Sequence, residues 1–134
     1  MMQDADTPRP LSLRILVAED SRTNQKLAAR LLERQGHAVT LVNNGKEAVD
    51  AIRRDLFDLV LMDVEMPVMD GLTAARAIRT YESRRGTRLP IVAVTTKNNR
   101  QDCLAAGMDA HLKKPLRPDV LNQTLQAVLP KSAA

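Results

Sequence analysis

Short apolar runs alternate with longer amphipathic segments along this chain. The apolar runs are rich in β-branched residues and have almost no polar interruptions, a pattern typical of strands buried on both faces of a sheet. Five such runs predict five strands, of which the last has the weakest pattern. They are Leu13–Ala18, Ala38–Val42, Leu59–Met62, Ile91–Val94 and Ala110–Lys113.

The segments between the apolar runs carry apolar residues three or four positions apart, which predicts a helix after each strand. Ser21 and Asn44 stand where helix N-caps are expected. Gly36 and Gly107 follow helices, where a left-handed cap is expected. The helical segments are the one between Arg22 and Arg34, then Lys46–Arg54, Leu72–Tyr81, roughly Gln101–Ala106, and Pro118–Leu129.

Strict alternation of five strands and five helices indicates an α/β fold. Such a chain is expected to form one doubly wound parallel sheet with helices on both faces. The predicted domain covers residues 13–129, with a flexible N-terminal tail (1–12) and a short C-terminal tail (130–134). The chain shows no internal repeat and no pattern of a second domain.

Composition narrows the class of protein. Of the 134 residues, 44% are hydrophobic and 27% are charged, which is typical of a globular domain and argues against disorder. Charges interrupt every apolar run before it reaches membrane-spanning length, and the first residues lack the apolar centre of a secretory signal. A single cysteine, Cys103, excludes an internal disulfide. A cytoplasmic domain without membrane contact is therefore expected.

The charge pattern leaves two interpretations open. There are 20 Lys and Arg residues against 16 Asp and Glu, a net charge of +4. In the first interpretation, the additional positive charges simply belong to a solvated surface. In the second, they bind a partner with an acidic face. Phe57 and Tyr81 are the only aromatic residues, so a base-stacking nucleic-acid surface is not expected. The densest basic stretch contains Arg76, Arg79, Arg84, Arg85 and Arg88.

Polar residues follow four of the five predicted strands at their carboxyl ends. Glu19 and Asp20 follow the first strand, and Asp63 follows the third. Thr95 follows the fourth strand, and Lys114 follows the fifth. Because ligands of open α/β sheets bind at this rim, three carboxylates, a hydroxyl and an amine are expected to lie together there. Ordinary loop composition explains one or two of these residues, but not three acids beside an ammonium group.

This residue set predicts phosphoryl chemistry with a divalent cation. Clustered carboxylates either raise a pKa or recruit a cation, and their oxygens suit a hard ion such as Mg²⁺. Phosphoryl transfer needs in-line placement and neutralisation of negative charge, to which Lys114 would contribute. Aspartate can act as the nucleophile and form an acyl phosphate. A threonine hydroxyl can then donate a hydrogen bond to a phosphoryl oxygen.

The sequence resembles the receiver domains of two-component response regulators, especially those of hybrid histidine kinases. The motifs that carry the resemblance follow one another in the family's order over nearly all of residues 13–129. It implies a flavodoxin-like five-stranded parallel sheet with strand order 2-1-3-4-5. The matching segments are ILVAEDSRTNQKLAARLLERQGH, NNGKEAVDAI, FDLVLMDVEMPVMDGLTAARAIR, IVAVTT and CLAAGMDAHLKKPL.

The resemblance implies a role for each residue at the rim. Asp63 would be the phosphoacceptor. Asp20, Asp63 and the backbone carbonyl of Glu65 would hold Mg²⁺, with Mn²⁺ as an alternative. Glu19 would contact the ion through a water molecule or would contact the residues that hold the ion.

Two further positions match the family's catalytic hydroxyl and lysine. The resemblance implies that Thr95 and Lys114 contact the phosphoryl group and that the bond between Lys114 and Pro115 is cis. In the loop after the third strand, Pro67 and Gly71 fit the family pattern and are also explained as residues that turn the chain.

The implied function is that of a phosphorylation-dependent switch. A histidine kinase or histidine phosphotransfer protein would donate a phosphoryl group from phosphohistidine to Asp63. Thr95 and the surface formed by the fourth strand, fourth helix and fifth strand would then rearrange. Such a domain catalyses its own phosphorylation and dephosphorylation but is a signalling module rather than a conventional enzyme. No output domain is expected in this sequence, so the domain either acts alone or is a piece of a longer chain, and the hybrid-kinase character of the motifs favours the second.

Two other functions are weighed against this one. The first is a receiver-like module that binds partners without being switched by phosphorylation. The second is a small aspartyl phosphohydrolase, because Asp63-Val64-Glu65 faintly resembles the acid-x-acid motif of haloacid dehalogenase relatives. The chain is too short for that family's cap, and the second acid is glutamate rather than aspartate.

Several positions depart from the family pattern. His111 occupies the place of the usual switch tyrosine or phenylalanine, either as an idle residue or as a pH-dependent one. The segment after Thr95 is short and contains two weak helix formers, Asn98 and Asn99, so the fourth helix is expected to be a stub. The side chains of Glu65 and Lys97 are expected to approach each other across the mouth of the site and slow the attack of water.

Overall fold

The computed structural model describes residues 12–129 of the chain. Five strands alternate with five helices in this range. The strands are β1 (Arg14–Ala18), β2 (Ala38–Val42), β3 (Leu59–Asp63), β4 (Ile91–Thr95) and β5 (Ala110–Lys113). The helices are α1 (Arg22–Arg34), α2 (Gly45–Arg54), α3 (Gly71–Ser83), α4 (Arg100–Ala105) and α5 (Pro118–Val128). Except for Ser12, the predicted tails lie outside the described residues.

The strands form one parallel sheet in the order β2-β1-β3-β4-β5. This confirms the predicted fold class and strand order. The chain winds outward from β1 in one direction to β2 and in the other to β3, β4 and β5, which places a topological switch point between β1 and β3. Pairing of Asp63 with Val94, and of Thr95 with Lys113, aligns the carboxyl ends of the last three strands at one rim.

Helices cover both faces of the sheet, and each face has its own apolar core. On one face α1 and α5 pack against the sheet through residues such as Leu32 and Leu121, which are fully buried. On the other face α2, α3 and α4 contribute small residues and Ile78. Alternate residues of β1, β3 and β4 enter the two cores, which explains why these strands read as uninterrupted apolar runs.

One prediction about the sheet is wrong. The apolar run Ala38–Val42 was expected to be buried on both faces, but β2 is an edge strand in which no residue is fully buried and Leu41 is 42% exposed. A run of apolar letters does not say which strand lies at the edge, because that depends on the order of strands in space.

The local predictions at helix ends are confirmed. The Ser21 hydroxyl accepts a hydrogen bond from the Asn24 N–H at 3.3 Å, which caps α1. Asn44 caps α2 in the same way, and Gly107 has the positive φ of +101° expected after α4. With six residues, α4 is the stub that the sequence predicts, and its N-cap residue makes no capping side-chain hydrogen bond. No helix in residues 12–129 combines the length and apolar character needed to cross a bilayer.

Candidate functional site

The predicted rim residues converge in the structure at the carboxyl ends of β1, β3, β4 and β5. Carboxylate oxygens of Glu19, Asp20 and Asp63 lie within 4.8 Å of one another. Glu19 and Asp63 are buried, whereas Asp20 is exposed. The cluster therefore has two carboxylates held inside the protein and one that faces solvent at the edge of the cleft.

Lys114 joins the two buried carboxylates. Its Nζ lies 2.9 Å from Glu19 Oε1 and 3.0 Å from Asp63 Oδ2, and only 18% of its side chain is exposed. The peptide bond from Lys114 to Pro115 is cis, as the resemblance implied. One ammonium group thus faces three nearby carboxylates, which leaves the site with an excess of negative charge.

The surroundings of Asp63 and Lys114 raise the pKa of both groups. Burial raises the pKa of Asp63, and the charge of Glu19 raises it further. Hydrogen bonds from Lys114 and the Glu65 N–H lower this pKa, but their effect is smaller than that of burial. Burial alone would lower the pKa of Lys114, but its hydrogen bonds and ion pairs with Glu19 and Asp63 raise it overall. Lys114 is therefore held as a cation beside a carboxylate whose charge is disfavoured.

The donor set fits a hard divalent cation. Carboxylate oxygens are the ligands that Mg²⁺ prefers. The raised pKa of Asp63 shows that its negative charge is unfavourable in this site, and a bound cation would stabilise that charge. Both oxygens of Glu19 are already engaged, one by Lys114 and one by the Ser21 N–H at 2.9 Å. Asp20 forms no ion pair with any residue that the structure describes, so its carboxylate could bind an ion directly.

Thr95 ends β4 and is almost completely buried. Its Oγ1 accepts a hydrogen bond from the Lys97 N–H at 3.1 Å. Because the hydroxyl oxygen is used as an acceptor, the hydroxyl proton is the part of the group left to donate.

Glu65 and Lys97 form an ion pair between the loops after β3 and β4. Both side chains are more than half exposed, at 52% and 64%. The expectation that these side chains approach each other is confirmed, whereas an effect on the attack of water stays a prediction.

His111 departs from the family pattern, and Cys103 lies in the short segment after Thr95 that also departs from it. His111 is partly buried on β5, and its Nε2 lies 3.3 Å from the backbone carbonyl of Lys97. Cys103 is buried in α4, where burial and the nearby Asp102 raise the pKa of its thiol. A raised pKa keeps a thiol protonated and unreactive, in agreement with a packing role.

Gln25 is a supporting residue that the sequence analysis did not identify. It is buried in α1, and its amide nitrogen donates to the Glu19 carbonyl at 2.5 Å and to Asn43 Oδ1 at 2.9 Å. It thereby ties the end of β1 to the residue after β2. A glutamine spaced three and seven positions before Ala28 and Leu32, on the apolar face of a helix, was the available signal.

Gly71 supports the site for a reason other than the expected turn. Its φ is not in the left-handed region, but a Cβ at this position would collide with the backbone carbonyl oxygen of Asp63. Glycine therefore allows the first residue of α3 to approach the end of β3. In the same loop Val68 has a φ of +70°, which is strained for a β-branched residue and was not predicted from the sequence.

The comparison with known proteins agrees with this fold. A sequence model of the response regulator receiver domain matches residues 15–126. The chain is 43% identical to the sensor protein GacS of Pseudomonas syringae over 128 residues, which cover 90% of this chain and 14% of GacS. It is 34% identical to probable histidine kinase 1 of rice, covering 92% of this chain and 16% of that protein. The chain thus spans a small part of these curated relatives.

Two solved structures give the comparison in three dimensions. The receiver domain of the sensor histidine kinase PA1611 from Pseudomonas aeruginosa, with a magnesium ion in its active site cleft, aligns with a TM-score of 0.79 and 39% identity. That alignment covers 88% of this chain and 98% of the other. A co-crystal structure of the Saccharomyces cerevisiae phosphotransfer protein Ypd1 with the receiver domain of Ssk1 aligns with a TM-score of 0.84 and 27% identity, covering 91% of both chains.

The protein is a doubly wound α/β domain with an acidic cluster at the switch point of its sheet. The chain belongs to the response regulator receiver domain family and is similar to the receiver domains of hybrid histidine kinases.

Proposed function

We propose that this domain accepts a phosphoryl group on Asp63 from a phosphohistidine of a histidine kinase or histidine phosphotransfer protein. The observation that carries the proposal is the position of the Lys114 ammonium, 3.0 Å from Asp63 Oδ2, beside an acidic trio within 4.8 Å. An ion pair with a purely structural role needs only one carboxylate for one lysine. Here three carboxylates lie near Lys114, so a second positive charge is needed to balance them.

The side chains of this cluster perform the transfer step. A carboxylate oxygen of Asp63 attacks phosphorus as the N–P bond of the phosphohistidine breaks, and the electron pair of that bond leaves with the imidazole. Lys114 offsets the negative charge on the phosphoryl oxygens. The Thr95 hydroxyl donates a hydrogen bond to one of these oxygens in the product.

Magnesium is part of this proposal. Asp20, Asp63 and the backbone carbonyl of Glu65 would hold the ion, and Glu19 would support it indirectly through its contacts with Lys114 and Ser21. When bound, Mg²⁺ would neutralise the carboxylate cluster and polarise the phosphoryl oxygens. Mn²⁺ suits the same oxygen ligands. The magnesium ion in the PA1611 receiver domain supports this assignment.

Phosphorylation is proposed to change the surface around β4, α4 and β5. Thr95 is linked through the Lys97 N–H to the loop that leads into α4, and the Lys97 carbonyl lies near His111 on β5. Withdrawal of the Thr95 hydroxyl toward a phosphoryl group would break its hydrogen bond to this loop. Thr95 and His111 are therefore the proposed switch residues.

The partners follow from the donor chemistry. A histidine kinase or a phosphotransfer protein of the kind seen with Ssk1 would dock over the cleft, and the chain would act as one domain of a longer hybrid kinase. A cytoplasmic location follows, because histidine kinases take their phosphoryl group from ATP.

The six-residue α4 favours a second candidate function, a receiver-like module that binds partners without being switched. A short helix offers little surface for a signal that travels through it. In this case Asp63 could be phosphorylated while the affinity for partners stayed the same.

The test is to incubate the domain with acetyl phosphate, with and without Mg²⁺, and to measure the intact mass. A gain of one phosphoryl group that requires Mg²⁺ and is lost in Asp63→Asn would support the proposal. Asp50→Asn is the matched control, because Asp50 is an exposed aspartate paired with Lys46. Labelling that survives Asp63→Asn would contradict it. Partner affinity unchanged by a phosphoryl mimic would favour the second function.

A further inference from the structure

A cationic groove lies between the C-terminal ends of α2 and α3. Arg53 from α2 and Arg85 from the segment after α3 approach the ring of Tyr81, with their guanidinium carbons 5.6 Å and 5.0 Å from its centroid. Thr80 and Arg84 complete the polar lining. We refer to Arg53, Tyr81, Arg84 and Arg85 as the arginine groove. Its helix ends lie at the amino edge of the sheet, away from Asp63.

The arginines of this groove have no acidic partners among residues 12–129. Arg53, Arg84 and Arg85 take part in none of the ion pairs that the structure describes and are exposed to solvent. Neighbouring arginines of the same segments behave differently. Arg79 pairs with Glu82 and Asp109, and Arg88 pairs with Asp109.

Helix dipoles explain part of this arrangement but not all of it. Basic residues near a helix C-terminus interact favourably with its partial negative charge, and Arg53 and Arg84 are so placed. The dipole does not require two guanidinium groups to approach one aromatic ring, because bringing like charges together is unfavourable. The ring offsets part of that repulsion through cation–π attraction and orients the guanidinium groups.

The chemistry of the groove selects its ligand. Guanidinium groups bind carboxylates through paired N–H donors, and their planar shape makes this geometry specific. Two arginines already approach the ring of Tyr81, which leaves little of it for stacking with a nucleic-acid base. The groove is open and its arginines are exposed, so a small anion would stay hydrated there. An extended chain with several carboxylates could contact the three arginines at once.

We infer that the arginine groove binds an acidic segment of a partner protein, rich in Asp and Glu. This contact is separate from phosphoryl transfer, because the groove shares no residue with the Asp63 cluster. The domain would thereby carry a second docking surface, selected by charge, which holds a partner independently of the phosphorylation state of Asp63.

The experiment uses a fluorescein-labelled hexaglutamate peptide as the probe. Binding is measured by fluorescence anisotropy at low ionic strength, and the contact surface is mapped by amide shifts in ¹H–¹⁵N NMR spectra. The shifts are expected around Arg53, Tyr81 and Arg85. The triple variant Arg53→Gln/Arg84→Gln/Arg85→Gln should weaken binding about tenfold, which corresponds to about 1.4 kcal/mol shared among three exposed ion pairs.

The matched control removes the same number of positive charges from α1, by Arg22→Gln, Lys26→Gln and Arg30→Gln. All three control residues are exposed. Binding that survives the control but not the groove variant supports the inference, provided that both variants keep the thermal midpoint of the parent.

Three outcomes would overturn the inference. They are an equal loss of affinity in the control, amide shifts that lie elsewhere, and tighter groove binding by a single-stranded oligonucleotide of equal charge than by the peptide. Asp63→Asn should bind the peptide as the parent does. This outcome separates the inference from the proposed function.

Discussion

Two clusters of charged side chains lie at opposite edges of the sheet, and they differ in charge balance. At the amino edge, Arg79 contacts Glu82 and Asp109 at 2.7 Å and 2.9 Å, and Arg88 adds a second contact to Asp109 at 2.6 Å. Two cations there face two anions. At the carboxyl edge, Lys114 alone faces Glu19, Asp63 and the adjacent Asp20.

The balanced cluster is also saturated with hydrogen bonds. Arg79 donates to the carbonyls of Gly107 and Leu89 as well as to its two acids. Asp109 accepts from the backbone N–H of Ile91, at the start of β4. This cluster ties the loops before β4 and β5 to α3, and nothing in it needs an additional ligand.

The unbalanced cluster is where chemistry is expected. A buried carboxylate with a raised pKa beside another acid destabilises the folded state when it is ionised. Both clusters contain ion pairs, so the presence of ion pairs does not distinguish them. Uncompensated charge does distinguish them, and such charge would leave binding energy for an ion or a phosphoryl group.

The largest expected effect is on the rate of phosphorylation, which should depend on the carboxyl-edge cluster and not on the amino-edge cluster. Lys114→Met should slow phosphorylation of Asp63 by acetyl phosphate roughly 100-fold or more, because it removes the protein's own cation from the developing charge. Arg79→Met should leave the rate of labelling per folded molecule unchanged. Time courses of intact mass check both variants. Equal slowing by the two substitutions would show that the amino-edge cluster also serves the reaction.

The next effect separates the clusters by stability. Arg79→Met should lower the free energy of unfolding by about 3 kcal/mol, because it leaves the buried Glu82 without its partner. Urea denaturation measures the change. Arg76→Met, on an exposed face of the same helix, is the control and should change stability by less than about 0.5 kcal/mol. A loss in Arg79→Met as small as in the control would contradict the structural role of the cluster.

A smaller effect of opposite sign is expected at Asp63, the proposed phosphoacceptor. Asp63→Asn should raise the free energy of unfolding at pH 7, in the absence of Mg²⁺, by about 1 kcal/mol, since it removes a buried charge next to Glu19. Lys114 keeps Glu19 as its partner in this variant. Urea denaturation with Asp50→Asn as the control tests this expectation. A loss of stability in Asp63→Asn would show that its carboxylate stabilises the fold.

The pH dependence gives an independent check of the same group. Because the pKa of Asp63 is raised in the folded state, the folded protein holds this proton more tightly than the unfolded chain. Its contribution to stability therefore falls as pH rises from the ordinary carboxyl pKa of 3.8 through the raised pKa. Asp63→Asn should remove that fall. Parallel stability profiles of parent and variant over this range would exclude the raised pKa.

The smallest effect concerns the exposed pair at the mouth of the site. Lys97→Ala should shorten the lifetime of the phosphorylated state by about twofold, since an exposed ion pair is worth only a few tenths of a kcal/mol. Decay of the phosphorylated mass in fresh buffer measures the lifetime. Lys26→Ala, on α1, is the control. An unchanged lifetime in Lys97→Ala would remove the pair from any role in excluding water.

Much of the fold and of the candidate site could be predicted from the sequence because their signals are local. Uninterrupted β-branched apolar runs and period-3.6 patterns report burial within a few residues, so all five strands and five helices were predicted with small errors at their ends. The rim residues were predicted because each directly follows a strand. In a parallel sheet, position along the strand is enough to bring Glu19, Asp63, Thr95 and Lys114 to one edge.

The tertiary structure decided what depends on contacts between distant residues. Lys114 meets Asp63 across 51 positions of sequence, and no local pattern shows that it divides its hydrogen bonds with Glu19. The basic stretch that appears uniform in sequence is divided in space, with Arg79 in a balanced cluster and Arg85 beside Tyr81. The reason is physical, because charge compensation and close approach are properties of neighbours in space, whereas periodicity records only neighbours along the chain.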